Sequence, residues 1–133
     1  MSREILTAEA FFSIAKRPKV DVPFPEGGNG AVIPVWGMTP TERTRFETQF
    51  QKQAKGTNRD ELLLEFRERL VAECCRNDDG SRVFAETEQV ARLGASHGGL
   101  VERLFNAASS SSGITDSDAE TSVKNSEGTA VDS

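Results

Sequence analysis

The chain has 133 residues, enough for one ordinary hydrophobic core and an appendage. Hydrophobic residues make up 36% of it and mean hydropathy is −0.47. No apolar run approaches the roughly 20 residues that span a bilayer. The first ten residues lack the basic-then-apolar order of a secretory signal, so the expected compartment is cytoplasm. Charge is uneven. Residues 109–133 carry Asp116, Asp118, Glu120, Glu127 and Asp132 against Lys124, which is −4 of the total −5 and leaves −1 for residues 1–108. A nearly neutral body with an acidic end is a poor match to a polyanion, so neither nucleic acid nor membrane is an expected partner.

In chain order, Thr7 is placed to cap a short helix ending near Lys16, with Ala8, Phe11, Phe12, Ile14 and Ala15 as its apolar residues. Two extended runs, 19–24 and 31–36, flank a Gly-rich turn and predict a β-hairpin. Pro23 and Pro34 each remove a ladder donor, which makes these edge strands. Thr39, Pro40 and Glu42 form a capping box with Pro at the first helical position. The helix it starts runs to about Ala54 with a thin stripe of Phe46, Phe50 and Ala54.

The next helix, over 58–76, is expected to organise the domain. Leu62, Leu63, Phe66, Leu70 and Cys74 share one arc at 100° per residue, and Glu61, Glu65, Glu68, Arg69 and Arg76 face away. Leu64, Val71 and Cys75 form a second, narrower stripe. It meets either another part of the fold, or a partner or second copy. A turn at 77–80 and the apolar pair Val83 and Phe84 follow, then helices over 87–93 and 100–108. From Ser109 the composition turns to Ser, Thr, Asp, Glu and Gly, which predicts disorder. The expected architecture is mainly α (α+β). A short N-terminal β-hairpin packs on a small helical domain, one compact unit over 1–108, and 109–133 is a disordered acidic tail.

Little in the sequence suggests chemistry. Cys74 and Cys75 are adjacent, a poor geometry for a disulfide, and read as small semi-buried side chains. A zinc site lacks ligands, because His97 is the chain's one histidine and its Gly-rich turn suggests exposure. Asp78 and Asp79 read as solvated turn acids, without the further ligands of a calcium loop. No catalytic, cofactor-binding or metal-binding residue is assigned, and no enzymatic activity is expected. Residues 89–104 resemble a DNA-binding helix-turn-helix, with Ala91 and Val101 ten apart. Against it, Gly94 comes one residue early, Gly98 and Gly99 weaken the recognition helix, and only Arg103 and His97 could reach bases.

Residues 24–108 resemble the tail assembly chaperones of lambda-like siphophages, bacteriophages with long non-contractile tails. The resemblance has three parts. First comes an extended segment ending in Val35, Trp36 and Gly37, followed by the Thr39 helix start. Second comes a long apolar helix running into Cys74-Cys-Arg-Asn-Asp-Asp-Gly-Ser-Arg-Val-Phe84. Third comes the helix pair 88–93 and 100–108 with a polar end. It implies a non-catalytic protein of the host cytoplasm, absent from the mature virion. Such a protein binds the tape measure protein, keeps it soluble and promotes tail tube polymerisation around it. A longer, frameshifted form would recruit the tail tube protein, and self-association is a further possibility. A structural tail or connector component is the neighbouring alternative. The partner contacts expected from the stripes are Phe46, Phe50, Leu64, Val71 and Cys75.

Overall fold

The computed structural model describes residues 3–96 and 98–131, with side chains as far as Ser126. The elements in order are α1 (Ala8–Ile14), β1 (Lys19–Pro23), β2 (Val32–Trp36), α2 (Pro40–Gln53), α3 (Arg59–Cys74), α4 (Thr87–Leu93), α5 (Gly98–Ser112) and α6 (Asp116–Val131). The mainly helical class with an N-terminal hairpin is as expected.

The hairpin is antiparallel, with Lys19 opposite Trp36 and Pro23 opposite Val32. A 3-10 turn, Pro25–Gly27, leads into its tip, and the backbone there takes positive φ at Gly28 and Gly30. Beyond the end of α3 the chain stays extended, so that Cys75 bridges Val35 and the Arg76 N–H donates to the Pro34 carbonyl at 3.1 Å. This stub covers the second edge of β2. The hairpin packs on α5. A Cβ at Gly37 would sit 2.2 Å from the Ser111 carbonyl oxygen, so only glycine admits this approach of the hairpin's end to α5.

The α2 helix starts as its sequence dictates. The Thr39 hydroxyl accepts from the Glu42 N–H at 3.2 Å, and the Glu42 carboxylate accepts from the Thr39 N–H at 2.9 Å. Asn58 caps α3 in the same way, accepting from the Glu61 N–H at 2.9 Å. Such caps contribute about 1 kcal/mol each. The core lies along α3, whose Phe66 meets Phe46 at 5.5 Å and Phe50 at 5.2 Å between ring centroids, both edge-on. Around it, α5, α6 and α4 pack on α3.

The segment from 109 departs from expectation. Residues 109–112 extend α5, and α6 follows, packed on both α2 and α3. Ile114, Ala119 and Val123 are buried, with Ser122 and Ser126 beside them. The physical reason is spacing. Ala119, Ser122, Val123 and Ser126 fall on one helical stripe, and small side chains bring helix axes close without a large apolar content. Thr115 and Asp118 make a reciprocal cap, each side chain accepting from the other's N–H, at 3.2 and 2.9 Å. The acids meet cations of the body, Asp118 with Arg43 at 3.1 Å and Glu120 with Arg59. Residues 132 and 133 lie outside the described residues.

Two outcomes are expected. Val123→Asp places a charge in a closed apolar site and lowers stability by more than about 3 kcal/mol in chemical denaturation, where a disordered tail would leave it unchanged. The second concerns acid. The Thr39 N–H bond chiefly, with Arg17 beside it at 2.5 Å, holds the Glu42 carboxyl below its ordinary 4.5. A depressed carboxyl stabilises the fold above the unfolded value and loses that contribution as pH falls through the folded one. Glu42→Gln is therefore expected to lower stability at neutral pH and to flatten the acid limb of a denaturation series.

Candidate functional site

An open groove of about 760 Å³ runs between α2, α3, and the segment that leads into and includes α4. Its volume is in the range of binding clefts. Its apolar lining comes from Phe46 and Phe50 of α2, Ala72 of α3, then Phe84, Val90 and the exposed Ala91, and Gln49, Gln53 and Thr87 add polar surface beside it. The four-residue spacing of Phe46 and Phe50 sets both on one side of α2, where they serve the core and the floor together. The rim is charged. Arg69 pairs with Glu65 at 3.0 Å and Arg82 with Glu73 at 2.5 Å, while Lys55 and Glu68 also line it. Gly94, at the end of α4, lies against the Glu68 carboxylate. Burial first, then the charge of Glu65, holds the Glu68 carboxyl above its ordinary 4.5. Apolar side chains between charges of both signs are the chemistry that one face of an amphipathic helix complements.

The five residues expected to meet a partner are scattered. Phe46 and Phe50 are buried in the core and reach the groove only as part of its floor. Val71 and Cys75 are fully enclosed and leave nothing for a partner to touch. The hairpin and the following strand segment cover them, since Cys75 bridges Val35 and the Val83 N–H donates to the Cys75 carbonyl at 3.1 Å. Leu64 alone is exposed, on the uncovered N-terminal half of the same stripe. A single exposed leucine is ordinary surface. The second stripe of α3 is thus a contact within the fold.

Other candidates are occupied. Burial pushes the Cys74 thiol up to about 11 and the Cys75 thiol up to about 12, so neither is nucleophilic near neutral pH. Asp78 pairs with Lys19 at 3.0 Å, and Asp79 accepts from the Ser81 hydroxyl at 2.6 Å and its N–H at 2.9 Å. Among the described residues, no group of three His, Cys, Asp or Glu could hold a metal ion. The helix that would read DNA is α5, and it lies under the hairpin with Leu104 and Phe105 in the core. Its Arg103 forks onto Glu26 at 3.0 and 3.1 Å and stacks over Phe24. His97 lies outside the described residues.

Sequence reasoning missed the residues of the groove's far wall. Val83 and Phe84 were legible as an apolar pair, but that Phe84 lines a groove shared with α2 depends on segments distant in sequence. The missed signal for the exposed N-terminal segment was local: Leu6 and Phe11 bracket the Thr7 cap at the positions of a hydrophobic staple. The contrast within α3 is testable. Leu64→Asp is expected to shift stability by under about 0.5 kcal/mol, whereas Val71→Asp leaves no folded protein by circular dichroism.

No protein-family model, curated protein or solved structure matches this chain.

Proposed function

We infer that the protein is a phage tail assembly chaperone, non-catalytic, which seats the apolar face of a tape measure protein helix in the groove between α2, α3 and α4. The observation that supports this reading is the groove itself: apolar side chains flanked by charges of both signs, open to solvent. A long helical protein with apolar faces aggregates unless something covers those faces, and a groove of this chemistry covers one of them. Two acids of α6 are already neutralised within the fold, Asp118 by Arg43 and Glu120 by Arg59. On this reading the protein acts in the host cytoplasm and is absent from the virion. Among the described residues no helix is long and apolar enough to cross a membrane. The engagement of α5 with the hairpin gives the DNA-binding alternative no support.

The test is co-expression with the tape measure protein of the same genome. Soluble tape measure protein is expected to rise and to co-purify. Ala91→Glu, on the exposed wall of the groove, is expected to reduce that recovery by about tenfold or more, the equivalent of a lost contact of roughly 1.4 kcal/mol, with the fold unchanged. Equal solubility of the tape measure protein with and without this chain would refute the reading.

A further inference from the structure

The hairpin has one unused edge. The outer edge of β2 is occupied where the Arg76 N–H donates to the Pro34 carbonyl, but no described strand pairs with β1 on its far side. The ladder shows which groups that edge offers. At the two ends of the hairpin the Phe24 N–H donates to the Ala31 carbonyl and the Gly37 N–H to the Pro18 carbonyl, both at 2.8 Å. Hydrogen-bonded pairs alternate with non-bonded ones in an antiparallel ladder, so Val20 and Val22 bond to β2, and Lys19, Asp21 and Pro23 turn their backbone groups outward. Pro34 fits this phase, since it stands opposite Asp21, where no inward N–H is needed. Pro23 closes the edge at one end. It has no N–H, and its carbonyl accepts from Arg103 at 3.1 Å. The N–H and C=O of Lys19 and of Asp21 remain, four groups on a stretch exposed to solvent.

Lysine and proline on an edge strand ordinarily guard it against other strands. Here they leave one partner that fits. An antiparallel strand centred on Val20 must carry an acid opposite Lys19 and a base opposite Asp21. A second copy does this by symmetry. With the two Val20 residues facing across a two-fold axis, Lys19 of each copy stands opposite Asp21 of the other. Both pairs are of the hydrogen-bonded kind, each exchanging two backbone bonds, so the four outward groups of each copy are all used. Val20, 43% exposed, falls in the close non-bonded pair and covers its counterpart. The Asp21 carboxylate is loosely held at home, 3.7 Å from Lys19, and gains the other copy's ammonium, while Lys19 keeps Asp78 at 3.0 Å.

We propose that β1 pairs with β1 of a second copy, antiparallel about Val20, to make a four-stranded sheet in the order β2-β1-β1-β2. The contact is isologous and closes at two chains. It is also small. Pro23 stops the ladder, so only the stretch around Lys19–Asp21 of each copy pairs, less than the roughly 1,000 Å² of a stable interface, and the expected dissociation constant is about 0.1–1 mM. The pairing involves neither the groove nor a phage protein, so it stands or falls independently of the chaperone reading.

The experiment is sedimentation equilibrium of the full chain alone, over roughly 10 μM to 1 mM. The mass is expected to rise with concentration toward twice the 14.5 kDa of one chain. Asp21→Lys sets lysine against lysine and is expected to weaken association by about tenfold or more. Lys19→Asp combined with Asp21→Lys is expected to restore it, because the swapped strand is again complementary to itself. Amide exchange by NMR on the unaltered chain reads the edge directly: the Lys19 and Asp21 amides are expected to slow as concentration rises, with Val20 and Val22 unchanged. A chain monomeric throughout the range overturns the proposal, as do Lys19 and Asp21 amides indifferent to concentration. So does an Asp21→Lys variant that associates like the wild type, or a folded double variant that fails to recover.

Discussion

The ring of Phe66 stands edge-on between Phe46 and Phe50, and this three-ring contact locks α2 to α3. Each such pair contributes about 0.5–1.5 kcal/mol beyond its buried area. Its geometric effect is larger than its energy. Once α2 and α3 are fixed, the remaining faces of α3 become docking sites: α5 and α6 on its apolar arc, α4 on another side, and the hairpin over its C-terminal end. The groove exists because α4 reaches α3 without closing down on α2. It is a gap left by the packing and lined by residues that the core already needs.

Electrostatics follow the packing. Most ion pairs are exposed and contribute about 0–1 kcal/mol each. Their role is to orient. Arg43 reaches Glu47 along its own helix and Asp118 across to α6, and its guanidinium also donates to the Gly113 carbonyl at 3.2 Å. Arg103 ties α5 to the hairpin through Glu26 and Phe24. The groove rim differs, because there the half-buried Glu68 is held against its own charge by desolvation.

Where the sequence was most informative, the signals were local. The Thr39 capping box, the Asn58 cap, the apolar arc of α3 and the Gly-rich hairpin tip each act over a few residues, and each stands where its residues place it. The second stripe of α3 was ambiguous for a physical reason. Periodicity shows that Val71 and Cys75 face something, but not whether that is the hairpin or another molecule. The acidic end was misread because composition undercounts small residues. Ser122 and Ser126 scored as polar, yet on a stripe with Ala119 and Val123 they permit close helix packing. The cap formed by Thr115 and Asp118 was the available warning. The groove could not be read at all, since it depends on how three distant segments meet.

The central functional claim is that this groove is where the tape measure protein sits. The most direct measurement is site-specific photo-crosslinking in co-expressing cells, with the reactive side chain placed at residue 91 in the groove or at residue 106 on the exposed face of α5. The account expects the tape measure protein to be captured from residue 91 and not from residue 106. Capture from residue 106 with none from residue 91 would contradict it and place the partner on α5.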